Sequence, residues 1–113
     1  MITLRMEVNR RRQHLLVDVC ETGLERTRGL LFRRRLASGE ALLIPRCRAV
    51  HTAGLWYPID VAFCAGDGTV LGLIGELRPW RVAGLRDAEE VWELPAGAAK
   101  ALALRVGDRL LAR

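Results

Sequence analysis

"CRAVHTAGLWYPIDVAFC", residues 47–64, decides what kind of molecule this is. It follows Pro45, shows no helical period and runs into the β-prone "IDVAF", so it reads as extended backbone. It also concentrates chemistry, with a cysteine at each end, His51 in the first half and Asp60 inside an apolar run. On a strand rising about 3.3 Å per residue, Cys47 and His51 stand roughly 13 Å apart on one face. A shared metal needs each donor within about 2.3 Å, and a thiolate–imidazole pair needs about 3 Å. Cys47 with His51 is therefore no dyad. A hairpin around "AGLWYP" offers another pairing, because the register that opposes His51 to Asp60 also opposes Cys47 to Cys64. Opposed Cβ atoms lie about 4.5–5.5 Å apart, close enough for the carboxylate to accept an imidazole N–H. In the alternative, Asp60 bonds backbone N–H groups of the "AGLWYP" loop and the cysteines serve as small buried hydrophobes.

The flanking chain extends the β reading. "ITLRMEVN" alternates strictly and "HLLVDVC" continues the alternation, with the polar run Asn9 to Gln13 as the turn of a hairpin. "TGLERTRGLLFRRRL" changes period: Thr22 and Glu25 fit a capping box, and Leu24, Thr27, Leu30 and Leu31 form one stripe. This predicts one packed helix near residues 23–34, with Gly29 marking a close approach. Beyond "ALLIP", "AGDGTV" is a turn signal and the glycines of "VLGLIGEL" suggest bulges. "RPWRVAGLRDAEE" reads as a loop and "VWEL" as a strand. "PAGAAKALAL" reads as a short helical turn opened by Pro95, and "VGDRLLAR" as a turn with Asp108 and a strand. The expected fold is mainly β (α+β by strict count), a compact antiparallel barrel or sandwich of one domain, residues 1–113.

Composition bounds the function. Half the 113 residues are hydrophobic and 27% are charged, as in globular chains, and no segment approaches the roughly 20 apolar residues of a membrane span. With no signal peptide at "MITLRMEVNRRRQ" and an odd number of cysteines, three, the expected compartment is the cytoplasm. The net charge of +5 and the runs "NRRRQ" and "FRRRL" raise nucleic-acid binding, but neither run carries aromatics that would stack on bases, so nucleic acid is disfavoured. No metal site or cofactor is expected: there is no phosphate loop, Cys-x-x-Cys pair, serine elbow or His-rich set.

"ERTRGLLFRRRL", "HTAGLWYPIDVAF", "DGTVL", "LRPW" and "ELPAGAAKALALRVGDRL", in that order, resemble the bacterial and archaeal family known as domain of unknown function 192. Many members open the middle motif with an aromatic residue and a methionine. His51 and Thr52 take those places here, which looks like a branch carrying a Cys-x-x-x-His-Thr segment, and Gly54 and Trp56 also depart from the usual residues. The resemblance implies a compact, mainly β fold with a packed helix. It brings no reaction, cofactor or catalytic residue. Other members often have export signals, which this sequence lacks.

The ligand-binding candidates are Cys47, His51, Thr52, Asp60, Trp80 and Glu93. Trp80 and Trp56 line a groove or plug a core. Glu93 either joins a site or interacts with the positive end of the helix after it. The expected function is a non-catalytic binding module presenting a loop-lined cleft to a small ligand or partner protein. The alternative is a small enzyme using His51 with Asp60 as an acid–base pair.

Overall fold

The computed structural model describes residues 2–20 and 36–113. The helix expected near residues 23–34 lies outside them. The described residues form nine strands: β1 (Ile2–Val8), β2 (Arg11–Val19), β3 (Glu40–Pro45), β4 (Ala49–His51), β5 (Ile59–Cys64), β6 (Val70–Leu77), β7 (Val82–Gly84), β8 (Glu90–Pro95) and β9 (Leu110–Ala112). One helical turn, α1, spans Ala98–Ala101. The mainly β expectation holds.

Seven strands form one sheet in the order β6-β5-β8-β3-β2-β1-β9, while β4 and β7 form a separate two-stranded ribbon. The sheet is mixed rather than antiparallel throughout, because β2 and β3 run parallel. A parallel pair needs a long crossover, and residues 20–39 supply it. The sheet curls until its ends meet: Thr69 and Arg109, just before β6 and β9, form an antiparallel bridge. The Leu110 N–H donates to the Gly68 carbonyl at 2.8 Å. Gly68 has φ +91°, and a Cβ there would strike the Leu110 carbonyl, so only glycine fits this seam.

The alternation of β5 and β8 sorts the core into two clusters. Ala62, Cys64, Trp92 and Leu94 face Met6, Val17, Val70 and Leu110 inside the curl. Ile59, Val61, Phe63 and Val91 face outward, where Val50, Leu55 and the partly buried Ala83 and Leu85 cover them. Every residue of β5 is thereby buried, which is why "IDVAFC" is nearly continuous in apolar residues. Trp92 is the core plug, and its indole N–H donates to Glu90 Oε2 at 2.9 Å.

Several local expectations are corrected. The first hairpin turns on Asn9 and Arg10 alone, both with positive φ as a two-residue reversal requires, and Arg11–Gln13 belong to β2. "RPWRVAGLRDAEE" contains β7. Pro95 ends β8 instead of opening α1, whose N-cap is Gly97. The glycine-marked bulges in β6 are present: Gly75 and Glu76 together oppose Asp60, and Leu71 is the extra residue between the partners of Phe63 and Cys64.

Candidate functional site

The predicted hairpin between residues 47–52 and 59–64 does not form. β5 is flanked on both edges, by β6 and β8, so it has no free edge to offer β4. β4 pairs with β7 instead, His51 opposite Val82. The Cys47–Cys64 opposition fails with it: the Cys47 N–H donates to the Glu89 carbonyl, and the Glu89 N–H donates to the Cys64 carbonyl. The backbone of Glu89 therefore lies between the two cysteines.

Asp60 has a different task from either one expected. Its Oδ1 accepts the Glu76 N–H at 2.8 Å, and its Oδ2 accepts the Ala99 N–H at 2.9 Å. The first group belongs to the β6 bulge and the second to the opening turn of α1. The carboxylate, 1% exposed, thus satisfies two backbone donors that the regular ladder leaves over. It does bond backbone amides, but not those of the "AGLWYP" loop. Glu93 is buried on β8 opposite Val61, on the other face of the sheet from Asp60. The role at the helix end that the sequence offered to Glu93 therefore falls to Asp60.

Cys47 is half-buried, and its thiol donates to the Ala49 carbonyl at 3.1 Å. It lines a pocket of about 490 Å³ with Arg46, Arg48, Gly66 and Glu90. Burial pushes the Glu90 carboxyl above its ordinary range, although the Trp92 indole partly offsets this. Burial first, then Glu90 and Asp67, push the Cys64 thiol up to about 12, so it stays protonated and inert near neutral pH. A second pocket, about 580 Å³, lies between β6 and α1, with Lys100 and Arg105 at its wall. Among the described residues no group of three or more His, Cys, Asp or Glu side chains is placed to hold a metal ion.

The remaining candidates meet on the ribbon. Thr52, wholly buried, ties its own loop to the "RPWR" turn. Its N–H donates to the Arg81 carbonyl at 2.8 Å, and its carbonyl accepts the Trp80 N–H at 3.0 Å. Its hydroxyl donates to the Arg78 carbonyl at 2.6 Å and accepts the Arg81 N–H at 2.8 Å. The hydroxyl thus sits between the carbonyl and the N–H that close a four-residue turn directly. The same Thr52 carbonyl accepts the Leu55 N–H at 3.1 Å, so one residue organises both loops.

What those loops display is apolar and exposed. Leu55 is buried and Trp56 next to it is 93% exposed, while Trp80 is 68% exposed and Val82 81%. Among the described residues five large hydrophobic side chains are exposed, and three of them belong to this ribbon and its loops. Trp80 holds φ +62°, a left-handed backbone that costs a bulky residue about 1–2 kcal/mol. The strand pairing fixes the faces: His51 and Val82 point outward with Ala49 and Gly84, while Val50 and Ala83 pack inward. Sequence reasoning selected Thr52, His51 and Trp80 but gave Thr52 no role and missed Val82. No local signal marked Val82, since "RVAGL" shows no alternation and lies in a segment rich in arginine.

The sequence matches, over residues 5–112, the family DUF192, described as an uncharacterized ACR. The chain belongs to the DUF192 family. Two solved structures share its fold. One, from Sinorhizobium meliloti 1021 and described as a "putative transcription regulator", is 27% identical with a TM-score of 0.85, over 98% of this chain and 94% of that one. The other, a protein of unknown function from Novosphingobium aromaticivorans, is 20% identical with a TM-score of 0.83, over 96% and 84%. No protein with a curated description matches this DUF192 chain.

Proposed function

We propose that this DUF192 chain is a non-catalytic binding module whose ligand face is the outer side of the β4–β7 ribbon and its two tryptophan loops. One observation carries the reading: a buried threonine bonds the backbone of both loops and holds Trp80 in a strained backbone, with the indole in water. Strain kept at an exposed aromatic stabilises nothing in the fold, which is the usual mark of a site. The acid–base alternative loses its geometry, since Asp60 is committed to two amides and His51 lies on the ribbon. The Cys-x-x-x-His-Thr segment is, on this reading, the signature of a branch that uses Thr52 to set the two loops. The thiols of Cys47 and Cys64 suit a reducing compartment, and we place the module in the cytoplasm. Among the described residues no helix is long and apolar enough to cross a membrane.

The test is NMR with a set of small aromatic and anionic fragments, read at the three indole N–H signals. The expected result is movement of Trp56 and Trp80 and of the Thr52 amide, with buried Trp92 silent as an internal control. Shifts confined to the Cys47 pocket or to the Ala99–Arg105 pocket overturn the assignment.

A further inference from the structure

The two segments that build the ribbon, residues 46–58 and 77–86, contain five arginines (Arg46, Arg48, Arg78, Arg81, Arg86), one histidine and two tryptophans, and no aspartate or glutamate. The nearest carboxylates along the chain are Asp60, Glu76 and Asp87, and the fold brings Glu89 and Glu90 to the pocket beside Arg46 and Arg48. The triple-arginine runs at residues 10–12 and 33–35 lack aromatics. Here the fold assembles from two distant segments the combination that neither run has. Arg78 and Arg81, both exposed, bracket exposed Trp80 in one turn, and exposed Arg48 leads into β4. Its carbonyl accepts the Leu85 N–H from the end of β7.

We infer that this ribbon binds single-stranded nucleic acid, with bases stacked on the Trp56 and Trp80 indoles and phosphates paired to the bracketing arginines. The inference deepens the binding-module reading and rests on the ribbon being the ligand face. Three features choose this partner. The excess of arginine around the two tryptophan loops calls for a polyanion. Among the described residues the two indoles are largely exposed, so they offer flat faces to flat rings, whereas a protein partner's anchor needs a pocket to enter. Finally, the outward pair next to the two tryptophan loops is His51 opposite Val82, an imidazole and an apolar side chain that can both lie against a splayed base. A duplex keeps its base faces stacked inside and gives the indoles nothing to contact. Splayed single strands expose them.

The experiment is fluorescence anisotropy of the full chain with labelled oligo-dT and oligo-U of about 15 nucleotides, long enough to span one such surface. Binding is expected for one or both, with loss of roughly 10-fold or more in affinity for each of Trp56→Ala and Trp80→Ala. Each of Arg78→Ala and Arg81→Ala should reduce the slope of log K against log salt by about 0.7. Near-ultraviolet circular dichroism of each variant verifies that the fold is kept. A preference for either oligomer supports the inference and assigns the sugar. Absence of binding at low salt overturns it. So does binding that survives both tryptophan changes, which assigns the contact to the triple-arginine runs. Displacement of the oligomer by poly-glutamate as readily as by unlabelled oligomer also overturns it and assigns an acidic polypeptide. If the oligomers fail while fragments still move the Trp56 and Trp80 indole signals, only the nucleic-acid inference falls. If neither acts on the indoles, the ribbon reading falls as well.

Discussion

Asp60 and Thr52 are both buried polar side chains that gather backbone N–H groups from segments far along the chain, yet they fix different things. Asp60 joins the β6 bulge to α1 beside the inner core, and everything it organises is itself part of the packed sheet. Thr52 joins two loops outside the sheet, and what it organises is a pair of indoles left in water. The same physical device, a side-chain oxygen satisfying leftover donors, serves stability in one place and display in the other. Burial alone therefore does not separate structural from functional polar groups. Where the attached side chains end up does.

The contrast breaks most visibly at Asp60. Asp60→Ala orphans two amides, one of them buried, and should cost about 3 kcal/mol in urea unfolding, with the Trp56 and Trp80 indole signals unchanged in the protein that remains folded. Thr52→Val keeps the shape but removes the hydroxyl between Arg78 and Arg81. It should cost about 1–3 kcal/mol and shift the Trp80 indole signal, and Thr52→Ser should restore most of both. If Thr52→Val leaves the Trp80 signal in place, the threonine is only packing. Trp80→Gly sharpens the point from the other side. It relieves a left-handed backbone and gives up little burial, so stability should stay level or rise by up to about 1 kcal/mol while binding falls. A clear loss of stability instead would show that Trp80 belongs to the core.

The smallest effect is expected in pH dependence, away from both residues. Hydrogen bonds from the Asn9 amide and the Arg105 N–H hold the Asp108 carboxyl below its ordinary range. A depressed folded-state value means that the contribution is present above the ordinary carboxylate range and is lost as pH falls through the depressed value. Glu90 works in the opposite sense. Its raised value favours the fold below the ordinary range, and that part is lost as pH rises through the raised value. Asp108→Asn should flatten the acid side of the stability profile, and Glu90→Gln should raise stability near neutral pH.

Much of the sheet was readable because its signals are local. The alternation of "ITLRMEVN" gave β1, the β-prone "IDVAF" gave β5, and the glycines of "VLGLIGEL" marked real bulges. The partner of β4 was not readable. Pairing 47–52 with 59–64 assumed that neighbours in sequence pair across a short loop, and nothing local says that β6 and β8 already occupy both edges of β5. A three-residue strand such as β7 is too short to show a period. The role of Thr52 was hidden for the same reason: its partners lie 26–29 residues away and are backbone atoms, which carry no sequence signal.

The outer edge of β1 is covered by β9, and Arg5 exchanges hydrogen bonds with Arg113. Strand β1 is thus completed by β9, the strand furthest from it along the described residues. Until β9 docks, β1 carries an open strand edge, a template for unwanted pairing with a second chain. Closure of the sheet therefore depends on pairing between strands at opposite ends of the described residues, the long-range kind of contact that slows folding.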